Sequence, residues 1–530
     1  MASPFNTSTL PLAEDSQSID QKKQGDSNRC SNVLLEKRAA DANTVEDNPE
    51  TIIVDWDGPD DPANPRNWSK RRKWAAALTV SAFTFISPVS SSMVAPAANQ
   101  IAAEFHITSS VEIAMTISVF VLAYAVGPLF LGPLSEMYGR VLILRGSNLF
   151  FIAWNLACGF SQNKAQLIAF RFLSGLGGSA PLATGGAVLS DMWTPDQRGQ
   201  AIAIYSLAPL LGPVIGPVAG GWIAQLSTWR WVFRSTSIAA AVVQLFGYFF
   251  LRETNAPLLL ARKAKQIKKE LDIEKGSRTV RTVYQTEDRR WKRLFAKSLF
   301  RPFILFAQEP IIQLLGIYLA FVYGTVYLVL TTIPDIFQFT YHEKAGVAGL
   351  QYISLGIGLS IASQTNARML DRVYRRLKER NGGVGLPEFR LPNVMPGTLL
   401  LPIGLLIAGW GAEKHVHWIL PDIGFAFIGA GTILIFQGIQ TYVIDAFTAH
   451  AASALAAVSC LRSLAGFGFP LFAPAMYKAL GYGVGDTILA AFALAVGFPA
   501  IWLFWKYGAR IRGMSKHARQ DEKPAQGAGL

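Results

Sequence analysis

The run AIAIYSLAPLLGPVIGPVAGGWIAQ, residues 201–225, contains no charged side chain. Its 25 residues exceed the ~20 that an α-helix needs to cross the hydrocarbon of a bilayer. Inside it Gly212, Gly216 and Gly220 recur every four residues, and Pro213 and Pro217 each follow one of them. That spacing puts small residues on one helix face, where a second backbone can approach closely. Prolines at these positions would break a helix in water. A bundle in lipid can supply partners for the freed carbonyls. Generic small-residue packing explains the glycines, Gly221 included, but not the doubled Gly-Pro.

Outward from this run, eleven more of the same kind follow, the first at 74–96 and the last at 486–505. Six lie before and six after a basic loop at 252–301. Apolar residues make up 51% of the 530, and charged residues 16%, where a soluble protein carries about 25%. The reading is an all-α integral membrane protein, with twelve transmembrane helices in two six-helix halves. The net charge of +13 does not point to nucleic acid, because the Lys and Arg sit between apolar runs. Cys30, Cys158 and Cys460 are too scattered for a disulfide framework or a metal site. There is no Gly-Lys-Ser/Thr, His-Glu-x-x-His or Gly-x-Ser-x-Gly, so neither an ATPase nor a hydrolase is expected, and no cofactor.

Lys and Arg concentrate on the cytoplasmic side of membrane proteins. With the N-terminus placed inside, 41 of the 49 fall in cytoplasmic segments and 6 opposite, while Arg171 and Arg462 lie within spans. Both termini are therefore expected in the cytoplasm. The expected divisions are a largely disordered tail at 1–73, helical halves at 74–251 and 302–506, the central loop at 252–301 and a basic tail at 507–530. The sequons at Asn6 and Asn67 fall on the cytoplasmic side and are expected to stay unmodified. ARKAKQIKKELD in the central loop reads as a basic surface helix.

Between the second and third spans stands GPLSEMYGR, residues 132–140. A short loop alone explains a glycine and a positive charge. It does not explain Glu136 four residues before Arg140 in a turn bracketed by Gly132 and Gly139. The reading is a charged latch, with Glu136 at a helix N-terminus and Arg140 meeting an acid, Asp191. NARMLDRVYRR, residues 366–376, repeats the pattern after the eighth span with Asp371 and Arg372. In QLIAFRFLSGLGG, residues 166–178, Arg171 lies inside an apolar span. Either it snorkels to the interface, or it faces the interior and tunes a carboxylate.

GPLSEMYGR, RFLSGLGG and GPVIGPVAGG, in that order, resemble motifs A, B and C of the major facilitator superfamily. The third resembles the antiporter motif of its drug:proton antiporters. WDGPDDPANPRNW (56–68), WRWVF (229–233), RETNAPLLLARKA (252–264) and QTYVIDAFTAHAASALAA (440–457) resemble the fungal twelve-span drug:proton antiporters. The likeness covers about 56–510. It departs at Glu136, where the superfamily usually has Asp, and at Val141, where a second basic residue is common. It implies the major facilitator fold and proton-coupled efflux of drugs, toxins or secondary metabolites by alternating access.

Candidate proton carriers are Glu112, Glu136, Asp191, Glu309, Asp335 and Asp445, with Arg171 beside Asp191 or Asp445 ranked first. Phe120 with Tyr124, Tyr323 with Tyr327, and Gln437 with Gln440 lie three or four apart on their helices. Each pair reads as packing when taken alone. Together they suggest an amphipathic cavity without fixed charge at its centre. The expectation is a monomeric exporter of hydrophobic or amphipathic molecules, with protons and the lipid bilayer as partners and the plasma membrane as location. An importer or uniporter of polyamines or other solutes, a non-transporting sensor and a vacuolar location stay open.

Overall fold

The computed structural model describes residues 51–194, 199–273, 279–284, 291–447, 451–515 and 518. The chain divides into two compact units, Met1–Asp55 with Leu260–Gln285, and Trp56–Leu259 with Thr286–Leu530. In the first unit β1 (Thr51–Val54) pairs in parallel with β2 (Thr279–Thr282), Thr51 opposite Thr279. Lys263 Nζ donates to Asp55 O at 2.9 Å.

The second unit holds the apolar helices. α1 (Lys70–Ser92) and the short α2 (Ala98–Glu104) make the first span, α3 (Ser110–Tyr138) the second and α4 (Arg140–Cys158) the third. α5 (Lys164–Gly178) and α6 (Ala180–Met192) share the fourth, broken where Pro181, which has no N–H to donate, opens α6. α7 (Gly199–Leu226) and α8 (Arg230–Phe250) complete six. After α9 (Ala256–Ile273) and α10 (Trp291–Gln308) come α11 (Pro310–Asp335), then α12 (Ala345–Leu350) continued by α13 (Tyr352–Arg380). α14 (Met395–Glu413), α15 (Ile419–Ala446) and α16 (Ala451–Met514) follow.

Among the described residues eleven helical runs are long and apolar enough to cross a membrane, the last 62 residues long. At about 1.5 Å per residue that run is three times the ~30 Å of hydrocarbon. Gly481, at φ 75° and ψ 171°, breaks α16 into two crossings, so the spans number twelve. A Cβ there would lie 2.5 Å from Glu413 Oε2, whose carboxylate also accepts the N–H of Tyr482 at 2.8 Å. Only glycine fits this turn.

Two expectations need correction. Residues 51–68 are not a disordered tail: besides β1, Asp61 accepts the backbone N–H groups of Asp57 and Ala63, and Arg72 stacks over Trp68 at 4.0 Å. Asn67 of the sequon spends its amide on Pro59 O and Asp61 O. The eighth span does not end at 365, for α13 runs on to Arg380 with its basic side chains exposed. The expected disorder of 1–50, Asn6, Cys30 and most of the tail after Ser515 lie outside the described residues. Cys158 and Cys460 are both free thiols.

Candidate functional site

α7 lies against α1 on one face and against α12 and α13 on another. A Cβ on Gly212 would sit 2.5 Å from Pro88 Cβ, and one on Gly216 would sit 2.6 Å from Val89 O. On Gly220 it would collide with Met93 O. The three glycines therefore seat α7 on the C-terminal turns of α1. Gly221 faces the other way, onto Ala345 O at 2.5 Å, and Gly349 of α12 closes on Pro217 O. Pro213 and Pro217 stand inside α7 on the stretch that packs against both α1 and α12.

Arg171 is fully buried and, among the described residues, meets no carboxylate. Its Nε donates to Thr116 O (3.0 Å), Nη1 to Ser90 O (2.9 Å), and Nη2 to Ser91 O (3.1 Å) and Ile117 O (3.0 Å). Ser90 and Ser91 stand in the last turn of α1, whose carbonyls have no partner within the helix. The Phe120 ring lies 4.8 Å beneath the guanidinium. The pairing of Arg171 with Asp191 or Asp445 is thus corrected, and so is snorkelling. The cation is satisfied by carbonyl dipoles, and it staples α5 to α1 and α3.

Asp191 belongs to the latch. Its Oδ2 lies 3.5 Å from Arg140 Nε and accepts from Thr254 Oγ1 at 3.2 Å. Arg140 Nη1 donates to Ser135 Oγ at 2.7 Å, and its Nη2 lies 3.8 Å from Oε1 of Glu136, a side chain 63% exposed. Glu136 is not the carboxylate at a helix terminus. Glu253 is: it accepts the N–H groups of Arg140 (2.9 Å) and Val141 (3.3 Å) at the start of α4, and of Thr254 and Asn255. Gly139, at φ 106°, is required because a Cβ there would strike Glu253. Gly132 has nothing within 4 Å of such a position, so it is not a close-contact residue.

In the second half Asp371 does not pair with Arg372, which is exposed. Arg390 takes that place, with Nη1 3.2 Å from Asp371 Oδ1 and Nε 2.8 Å from Asp445 Oδ2. Arg140 and Arg390 stand at the starts of the third and ninth spans, Asp191 and Asp445 at the ends of the fourth and tenth. Each set of six spans therefore carries one arginine between equivalent acids.

Comparison with known proteins agrees. The Major Facilitator Superfamily profile matches residues 80–470. The chain belongs to that superfamily. It is 48% identical over 466 residues to the protein named Efflux pump vrtL of Penicillium aethiopicum, covering 88% of this chain and 91% of that one. It is 41% identical to Efflux pump radE of Floropilus chiversii, covering 87% and 85%. Among solved structures, a partially occluded, inward-open form of the E. coli xylose transporter XylE superposes with a TM-score of 0.60 at 15% identity, covering 83% of this chain and 98% of that one. At that identity the likeness is one of fold: an all-α membrane protein of two six-helix halves.

Within this superfamily member the expected cavity residues separate. Phe120 is fully buried against Phe151, and the Tyr124 hydroxyl sits 2.6 Å from Ser87 Oγ, so both are core. Gln437 donates to Ser363 Oγ and accepts from Asn366 Nδ2, tying α13 to α15, with Gln440 half-buried beyond it. Tyr323 and Tyr327 meet with ring centroids 5.0 Å apart and planes tilted by 46°, and Tyr327 reaches Ser91 of α1 at 3.5 Å, across the halves. The centre is not free of charge: Arg462 of α16 lies over Tyr323 at 4.6 Å and Phe436 at 5.1 Å.

Sequence reasoning missed Glu253 and Arg390 and gave Arg462 no role. Glu253 stands within RETNAPLLLARKA and Arg390 in a basic loop, and neither residue type names its partner in the sequence. Sequence reasoning also passed over Asp422 and Asp486, buried acids in the tenth and twelfth spans. Their presence in otherwise apolar runs was the available signal. The Tyr477 hydroxyl donates to Asp486 Oδ1 at 2.6 Å. Between the seventh and eighth spans, burial pushes the Glu343 carboxyl above its ordinary range, while two bonds from Gln351 Nε2 act against that shift.

Proposed function

We propose that this protein is a secondary-active exporter of hydrophobic or amphipathic small molecules, of the secondary-metabolite or drug class, driven by proton antiport at the plasma membrane. The observation that carries the reading is the near full-length similarity, at 48% and 41% identity, to proteins named efflux pumps. α7 supports it, since its Gly221 and Pro217 pack against α12 of the other half while Gly212, Gly216 and Gly220 seat it on α1, and alternating access requires a compliant contact there. The halves 74–251 and 302–506 rock against each other about α7, and the chain acts as a monomer.

In this reading Arg140 with Asp191 and Glu136, and Arg390 with Asp445 and Asp371, are the latches of the two halves. Asp191 and Asp445 are the acids a proton would neutralise, and neutralising either one loosens its arginine. The test is flux in proteoliposomes. A pH gradient, acidic on the side opposite the cytoplasmic face, should drive rhodamine 6G out through that face's opposite side. Flux with the gradient collapsed should fall to the exchange level. Gradient-driven uptake would establish the importer instead, and flux insensitive to the gradient the uniporter.

A further inference from the structure

Among the described residues Arg171 and Arg462 stand deep within the spans, and Arg171 is spoken for. Arg462 stands on α16, and its guanidinium rests over Tyr323, the middle residue of α11. It is therefore held at mid-depth and does not snorkel to a headgroup. Among the described residues it makes no hydrogen bond, has no carboxylate oxygen within 4.0 Å, and buries an Nε–H without a partner. Arg462, Tyr323 and Phe436 are each only partly buried. The neighbouring Gly466 brings α16 against Tyr323 and against Val121 of α3, in the other half. The cation thus faces the space between the halves, flanked by two aromatic rings.

An uncompensated guanidinium in a low-dielectric bundle asks for an anion, and its planar fork suits a carboxylate or an acidic phenol or enol. Two rings beside the guanidinium, at 4.6 and 5.1 Å, suit a flat aromatic body laid against them. Resting on the export reading above, we infer that Arg462 is the counter-ion of an anionic substrate: an amphipathic aromatic acid whose charged group binds the guanidinium while its rings lie against Tyr323 and Phe436.

The experiment uses the full-length protein in proteoliposomes and three fluorescent probes: 1-pyrenebutyrate, its uncharged amide 1-pyrenebutyramide, and the cation rhodamine 6G. Binding is read by equilibrium fluorescence and export by flux. The wild-type protein should bind the acid at least about tenfold more tightly than the amide. Arg462→Gln should bring that ratio to near one with the amide's affinity unchanged, and Arg462→Lys should keep most of it. A purely packing role for Arg462 would lower all three probes alike. If Arg462→Gln fails to fold, the acid-to-amide ratio of the wild type and of Arg462→Lys still decides. Export of amide and cation without preference for the acid overturns this inference and leaves export standing. Export of none of the three overturns the export reading, and this inference with it.

Discussion

Arg171 and Arg462 are the same side chain in the same solvent, and the bundle treats them oppositely. Each is charged within an apolar span, where an arginine costs about 2.5–3.5 kcal/mol on insertion scales. Arg171 recovers this through four carbonyls on two neighbouring helices and is fully buried. Among the described residues Arg462 has two rings and no acceptor. The first holds helices together. The second leaves part of its bonding capacity open towards the interior. Intramembrane charge is therefore not one signal but two, told apart by counting acceptors.

The largest expected effect tests that contrast directly. Arg171→Lys loses the fork that reaches α1 and α3 together, so folded protein should fall by about tenfold or more. Arg462→Gln should stay within about twofold of the wild type. Fluorescence-detected size-exclusion of the tagged proteins reads both. Normal folding of Arg171→Lys would break the comparison, since the carbonyl set would not then be what holds the bundle.

Next in size is the α7 seat. Gly220→Ala puts a methyl group against Met93 O, so export should drop about tenfold, while Gly132→Ala, with open space around it, should be neutral. Equal flux in the two variants would remove α7 from the mechanism. A smaller change is expected in the second-half latch. Arg390→Ala should lower the maximal export rate several-fold, about the effect of a 1 kcal/mol shift between two states. Arg372→Ala should change nothing. A lost substrate affinity at unchanged rate in Arg390→Ala would assign it to binding.

A last comparison, read in stability and not in flux, separates two glutamates. Glu253→Ala uncaps α4 and should cost about 1–2 kcal/mol, seen as a lower melting temperature. Glu136→Ala removes a mostly exposed partner 3.8 Å from Arg140 and should cost under about 0.5 kcal/mol. The reverse order would restore Glu136 to the helix terminus.

What the amino-acid sequence determined by itself was whatever adds up locally. Hydropathy over twenty residues located the spans, the four-residue period placed Gly212, Gly216 and Gly220 on one face, and the ordered motifs carried the family resemblance. The tertiary structure decided whom each charge meets. Arg171 finds carbonyls in α1 and α3, Glu253 reaches back to the start of α4, and Arg390, not Arg372, holds Asp371. A helix reports its own faces through its period, but the partner of a side chain lies on another helix. Which helix that is depends on how the backbones approach, and glycines, prolines and the break at Gly481 set that approach. For the same reason Arg462 looked no different from Arg171 in the sequence: an acceptor supplied by a remote backbone carbonyl leaves no mark on residue type.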